Sequence, residues 1–152
     1  MTIERKGMRQ TKKEVREAFT TILRTHEDLE EINEITYGRK ADLGKVRAPV
    51  IWILPTSHTP ELVSGHTEQH DFSYEFLILV KSNKPEEGFE KAEDLALTVY
   101  DALMEDRTLD GTVHDVRPSG IDPAYSGGAE NPQLYWSAVE FVFRLQRRAK
   151  RT

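Results

Sequence analysis

The residues best suited to chemistry lie in one short stretch, residues 56–71, where three histidines occur beside three carboxylates. The six are His58, Glu61, His66, Glu68, His70 and Asp71. Imidazole and carboxylate groups are the usual protein ligands of zinc. The run His66-Thr-Glu-Gln-His70 is close to HExxH, but its glutamate comes one place late, and that signature needs both histidines on one helical face. Gly65 and the strand that follows disfavour a helix, so a metal-dependent enzyme using His58, His66 and His70 is the alternative to a polar loop.

Other catalytic patterns are missing from the sequence. It contains no G-x-S-x-G, no P-loop and no G-x-G-x-x-G, and its lack of cysteine excludes thiolate chemistry and disulfides. Gly127-Gly128 has no helix after it that would hold a phosphate, so a turn is expected there. We therefore expect a protein that is not an enzyme and that carries no metal and no cofactor.

Charge is distributed unevenly along the chain. Residues 1–16 hold six lysines and arginines, residues 144–152 hold five, and the whole chain still has a net charge of −5. We expect a flexible basic N-terminus (1–10), a single α+β domain (11–146) and a basic C-terminal tail (147–152). A nucleic-acid-binding module that uses the basic ends is a further alternative. No apolar run approaches the ~20 residues of a membrane helix, so no membrane partner is expected.

Hydrophobic periodicity predicts the elements. The predicted order begins with a helix that opens with a capping box at Thr11 and Glu14, followed by a loop at 30–47 and a strand at 48–54. A loop or projecting hairpin arm at 56–71 and a strand at 72–81 come next. The chain then continues with a helix at 83–105, a strand at 112–117, a loop at 118–133 and a strand at 134–146. His26 lies on the stripe of the first helix, where a structural histidine is expected. The prediction is an α+β fold, with a four-stranded, mostly antiparallel sheet and two helices packed on one face, in the order α-β-β-α-β-β.

The last strand has an unusual second face. Trp136 and Val142 alternate there with Glu140 and Arg144. An aromatic anchor with flanking charges is typical of a protein–protein interface. Coverage of this face by a loop or by the first helix is the other interpretation.

With this order of elements, the chain resembles the tail terminator, or tail completion (minor tail), proteins of long-tailed bacteriophages. The resemblance covers residues 11–146 and is best from residue 72 onward. The matching features are Ala48-Pro-Val-Ile, the strand 72–80 entering Ser82-Asn-Lys-Pro-Glu-Glu, Leu103-Met-Glu-Asp-Arg-Thr-Leu-Asp-Gly-Thr-Val, Asp115-Val-Arg-Pro118 and Val139-Glu-Phe-Val-Phe-Arg.

The resemblance implies a subunit of a hexameric ring that caps the tail tube, stops its polymerisation and offers a surface to the head. Its partners would be copies of itself, the tail tube protein and the head connector, with DNA passing through the ring. It would reside in the virion tail, and in the host cytoplasm during assembly. A ring subunit needs two different complementary patches. The candidates are the 56–71 stretch, including His66 and His70, and the Trp136 face. A head–tail connector or neck protein is the alternative within the same class.

Overall fold

The computed structural model describes residues 7–39, 43–128 and 130–148. These residues form two α helices and one five-stranded sheet, which confirms the α+β class. The elements are α1 (Met8–Thr25), β1 (Glu34–Tyr37), β2 (Val50–Leu62), β3 (Thr67–Lys81), α2 (Pro85–Met104), β4 (Asp115–Gly127) and β5 (Asn131–Arg148). Short 3-10 turns at Glu27–Leu29 and Leu43–Lys45 precede and follow β1.

The strand order across the sheet is β1-β2-β3-β5-β4, with β1 parallel to β2 and every other pair antiparallel. The prediction of four strands in the order α-β-β-α-β-β is therefore wrong, because β1 adds a strand inside the 30–47 segment that was assigned to a loop. β1 is an edge strand of four residues, and all of its side chains are at least partly exposed. A strand so short and so little buried has no clear apolar alternation in its sequence.

The first helix begins earlier than predicted. Gly7 is its N-cap and makes no side-chain capping bond. The Thr11 hydroxyl donates to the Gly7 carbonyl oxygen at 3.1 Å, so the capping box predicted at Thr11 and Glu14 does not start this helix. At the other end His26 is the C-cap, and its Nε2 lies 2.9 Å from Glu105 Oε1. This structural role for His26 agrees with the prediction.

Both helices pack on the same face of the sheet, as predicted. Phe19 of α1 lies at the centre of this core, with ring centroids 5.0 Å from Tyr74, 5.3 Å from Phe76 and 4.9 Å from Phe143. α2 contributes Ala92, Leu95, Ala96, Val99, Ala102 and Leu103. We call this side of the sheet the helix face and the opposite side the open face.

Two segments predicted as loops are hairpin ends. β2 continues to Leu62 and β3 begins at Thr67, so the 56–71 stretch extends the β2–β3 hairpin, as in the alternative to a loop. It does not project alone, because β5 pairs with its β3 strand as far as Thr67. We define the arm as residues 57–73, which follow a register shift after Pro55. The prediction of a loop at 118–133 is wrong, because β4 reaches Gly127 and β5 begins at Asn131. Three register shifts in β4 accommodate its prolines and glycines at the sheet edge.

The boundaries predicted for the two basic ends also move. β5 continues to Arg148, so the first two residues assigned to the C-terminal tail belong to a strand. The rest of that tail, and residues 1–6, lie outside the described residues. None of the helices in the described ranges is long and apolar enough to cross a membrane.

Candidate subunit interface

The four β5 residues predicted to form an interface lie on the open face. Trp136, Glu140, Val142 and Arg144 alternate with the buried residues of the helix face, and each remains partly exposed. Their strand partners on β3 are Leu79, Glu75, Ser73 and Asp71 respectively. Residues of β5 and β3 therefore make one continuous surface, which runs from an apolar end at Trp136 to a charged end at Arg144.

The apolar end of the open face is covered from within the chain. Val46 and Leu43 pack there against Trp52, Leu77 and Ala138, in a second small core that Trp136 borders. The interpretation that a loop covers this face is therefore correct at the Trp136 end. The covering residues come from the segment before β2 and not from α1.

Trp136 keeps one unusual feature in this position. Its indole Nε1 is buried, and within the described residues it has no hydrogen-bond partner. Tyr125 of β4 stands edge-on against the indole, with 4.8 Å between ring centroids. A buried polar group without a hydrogen-bond partner costs free energy. In the single chain, the hydrogen-bonding capacity of this N–H group is therefore not met.

The middle of the open face is acidic. Glu75 and Glu140 are directly opposed on β3 and β5, and the Ser119 hydroxyl donates to Glu140 Oε1 at 2.9 Å. Burial raises the pKa of Glu75, and the negative charges of Asp122 and Glu140 raise it further, while Arg39 lowers it. The two partly exposed carboxyl groups of Glu75 and Glu140 favour a basic partner at the centre of this face.

The charged end of the open face is internally paired. Arg144 donates two hydrogen bonds to Asp71, from Nε at 2.9 Å and from Nη2 at 3.1 Å. Next to this pair, Asp115 accepts from Arg117 at 2.8 Å and pairs with Arg107 at 2.8 Å. The Arg117 hydrogen bond is the main reason why the pKa of Asp115 is lowered. The Nε and Nη2 groups of Arg144 are thus used within its own chain. Arg144 therefore stabilises this surface and is a weaker candidate for a contact with a partner.

The arm histidines do not meet as a group of three. His58 Nε2 lies 2.8 Å from His70 Nδ1, whereas His66 is exposed in the turn, where its backbone N–H donates to Ser64 Oγ. Among the described residues, no three or more His, Cys, Asp or Glu side chains are placed to hold a metal ion. The described geometry therefore does not support the metal-dependent alternative that combined His58, His66 and His70.

The paired histidines belong to a short relay on the helix face. His70 Nε2 lies 3.2 Å from Glu68 Oε1, and Glu68 also forms an ion pair with Arg147. An ionised carboxylate only accepts, so His70 Nε2 donates to Glu68. With a neutral His70 ring, Nδ1 then accepts from His58 Nε2. Burial is the main cause that lowers the pKa of His58, and Lys12 and His70 lower it further. The relay runs along the arm, from His58 near its base to Glu68, which pairs with Leu62 at its far end.

The predicted interface residues are thus divided between two sides of the sheet. The four β5 residues lie on the open face, His70 is buried on the helix face beside Leu145, and His66 is at the arm turn. Sequence reasoning grouped His66 with His70 because it assigned both to one loop. In a strand, alternate residues face opposite sides, which decides the placement of His70.

The structure also exposes apolar residues that the sequence prediction did not single out. Leu62 and Val63 lie at the arm turn, and Ile121 and Tyr125 lie on β4. All four fall in segments that prolines and glycines assigned to loops, where apolar residues carry no periodic signal. Two large apolar residues next to each other in a polar turn were the one signal available for Leu62 and Val63.

Comparisons with known proteins add no relative. No family model matches the chain, and no curated protein is significantly similar to it.

Proposed function

We propose that this chain is a structural subunit of a phage or prophage tail, which forms a ring that caps the tail tube, stops its polymerisation and joins it to the head. The resemblance to tail terminator proteins supports this function, and it involves no catalysis. The observation that carries the proposal is the open face of the sheet. A sheet in a lone domain usually has its second face either polar throughout or covered; here Trp136, Glu140 and Val142 remain partly exposed beside an internal cover that ends at Trp136.

The arm is the second element that suits a ring subunit. It extends β2 well past Tyr37, the last residue of β1, whose partner on β2 is Ile53. Beyond that point one edge of β2 has no partner strand among the described residues. The exposed β2 strand of the arm therefore presents an edge that fits a contact with a neighbouring copy. A ring closes when such a contact joins two different patches of identical chains.

A charged substitution on the open face tests the proposal. Val142 lies between Ser73 and Arg117 on the sheet and is partly exposed, so Val142→Glu is compatible with a folded single chain. We expect light scattering of the unchanged protein to give a particle of several copies, and Val142→Glu to give a monomer. The matched control is Leu97→Glu on α2, an exposed apolar residue away from this face.

Two outcomes would overturn the proposal. One is a strict monomer at high protein concentration for the unchanged chain. The other is a Val142→Glu variant that assembles as strongly as the Leu97→Glu control. The genomic neighbourhood supplies an independent check, because genes for a tail tube and a tape measure beside this one are expected for a tail subunit and would not be expected for an unrelated module.

A further inference from the structure

Two surfaces of opposite charge lie on opposite sides of the sheet. The first is on the open face, where the directly opposed pair of Glu75 and Glu140 is joined by Asp122, whose strand partner is Ala138 of the second core. We call these three acids the acidic centre. Burial and then the charges of Asp122 and Glu140 raise the pKa of Glu75. Arg39 opposes them, and one cation against three carboxyl groups leaves this region acidic among the described residues.

The second surface is one side of α1. Four basic residues of this helix share the i, i+3, i+4, i+7 spacing that places side chains on the same side. They are Arg9, Lys12, Lys13 and Arg16, and we call them the basic flank. Lys12 Nζ lies 5.6 Å from the centre of the Phe72 ring, and Arg16 Cζ lies 4.4 Å from the centre of another ring, that of Tyr37. Within the part of the chain that the structure describes, no carboxylate forms an ion pair with any of the four.

One copy cannot join its own basic flank to its own acidic centre. α1 packs on the helix face through Val15, Phe19 and Leu23, whereas the acidic centre is on the open face. The sheet therefore stands between the two surfaces. A second copy, in contrast, brings to each surface the charge that the surface lacks.

The spacing of the charges also matches. Directly opposed residues on neighbouring strands, such as Glu75 and Glu140, have Cβ atoms about 4.5–5.5 Å apart. Residues four apart on a helix, such as Arg9 and Lys13, have Cβ atoms about 5–6 Å apart. Arg9 and Lys13 are both exposed. One helical pair of cations can therefore face one cross-strand pair of carboxyl groups.

We propose that the basic flank of one copy binds the acidic centre of the next copy, with Arg9 and Lys13 facing the two opposed glutamates. The two surfaces differ, so the contact is head to tail and repeats from copy to copy until a ring closes. This inference rests on the proposed ring function, and it names the surface that covers the open face.

The apolar residue beside the acidic centre has a counterpart in the same contact. Val142 is two residues from Glu140 on the open face and is partly exposed. Tyr37 stands beside Arg16 and is 41% exposed. In the head-to-tail contact Val142 packs against Tyr37 of the next copy. Val142→Glu therefore replaces an apolar contact by a charge, which weakens assembly even though the partner surface is basic.

Charge reversal tests the contact. Lys13→Glu on the basic flank and Glu140→Lys in the acidic centre should each raise the concentration needed for assembly roughly tenfold, which corresponds to one decade in the binding constant. The two changes combined in one chain should restore most of the loss. The matched control is Lys84→Glu combined with Glu93→Lys, which reverses two exposed charges of α2 and its N-cap and should leave assembly unchanged.

A mixture of the two single variants distinguishes a head-to-tail contact from a general effect of charge. The Lys13→Glu variant keeps its acidic centre, and the Glu140→Lys variant keeps its basic flank. When the two alternate, the two altered surfaces meet each other and the two unaltered surfaces meet each other. An equal mixture should therefore assemble, as measured by light scattering, at concentrations where each variant alone does not.

A zero-length cross-link on the unchanged protein is the second readout. A carbodiimide couples a lysine amine to a carboxylate only where the two groups are in contact. Mass spectrometry should find Lys12 or Lys13 joined to Glu140. In a mixture of copies with and without heavy nitrogen, the joined peptides should include mixed-label species, because the link forms between copies.

The outcomes separate this contact from the ring function. Particles of several copies that both reversals leave unchanged would overturn the contact and leave the ring function in place. Loss of assembly in the single variants without recovery in the mixture would also overturn it. Binding of duplex DNA that Lys13→Glu abolishes, with assembly unchanged, would assign the basic flank to a polyanion instead. Monomers under every condition would contradict both proposals.

Discussion

The two faces of the sheet are made by the same strands but are covered to different extents. On the helix face, α1 and α2 bury one continuous apolar core, which includes Ile51, Phe76 and Phe143. On the open face, the chain covers the end near Trp136 and leaves Glu75, Glu140 and Val142 partly exposed. Under the proposed function, the surface that stabilises the fold and the surface that binds a partner are therefore separate. Changes on the helix face should therefore affect the free energy of unfolding first, and changes on the open face should affect assembly first.

The largest expected effect on stability is at Phe19. This side chain is fully buried, and four aromatic rings of the sheet lie around it. Phe19→Ala should lower the free energy of unfolding by about 3–5 kcal/mol, the usual cost of removing a buried phenyl ring. Chemical denaturation measures it. Leu97→Ala on exposed α2 surface should change it by less than ~0.5 kcal/mol, and equal effects of the two variants would contradict the assignment of the core to the helix face.

A smaller effect is expected from the ion pair on the open face. Asp71 and Arg144 form a bidentate pair whose side chains are about three-quarters covered. A double-mutant cycle with Asp71→Asn and Arg144→Gln should give a coupling free energy of about 1 kcal/mol, more than most exposed pairs and far less than the core. Additivity of the two single changes would show that the pair adds nothing to the stability of this face.

The smallest effect concerns pH and the base of the arm. The pKa of His58 is lowered in the fold below its ordinary 6.5, mainly by burial. Its neutral form is therefore favoured, so its contribution to stability is complete above pH 6.5 and is lost as pH falls through the lowered value. His26 acts oppositely: its pKa is raised, chiefly by the Glu105 hydrogen bond, and its contribution is lost as pH rises above 6.5.

Substitution separates the two histidines. His58→Gln keeps an N–H donor for His70 and removes the titrating group. Between pH 7.5 and 5.5, its free energy of unfolding should fall less than that of the unchanged protein, as measured by urea denaturation at each pH. The control is Leu97→Gln on the exposed surface of α2, which removes no titrating group and should follow the unchanged protein. A His58→Gln variant with the full pH dependence would place the acid sensitivity elsewhere.

Much of the helix face was predictable from sequence. The alternation of Phe72, Tyr74 and Phe76, and the stripes of both helices, follow directly from the 2-residue and 3.6-residue periods of a surface that is buried along its whole length. The face of β5 that carries Trp136 was found in the same way. These predictions succeeded because burial on one side imposes a pattern on the sequence.

The hairpin ends and β1 were not predictable on the same basis. β4 and the arm are exposed over most of their length, and prolines and glycines interrupt them, so neither a period nor a propensity distinguishes them from loops. The position of His70 depended on its strand register, which only the pairing with β5 fixes. The open face of β5 was therefore found from the sequence, whereas the exposed apolar residues Leu62, Val63, Ile121 and Tyr125 were not.

The central claim is that copies of this chain close into a ring. Electron microscopy of the purified protein, with its mass in solution measured by sedimentation, tests it most directly. We expect closed rings with a single number of subunits and an open centre, and a mass that matches that number. Monomers alone at high concentration, or filaments of indefinite length, would contradict the claim.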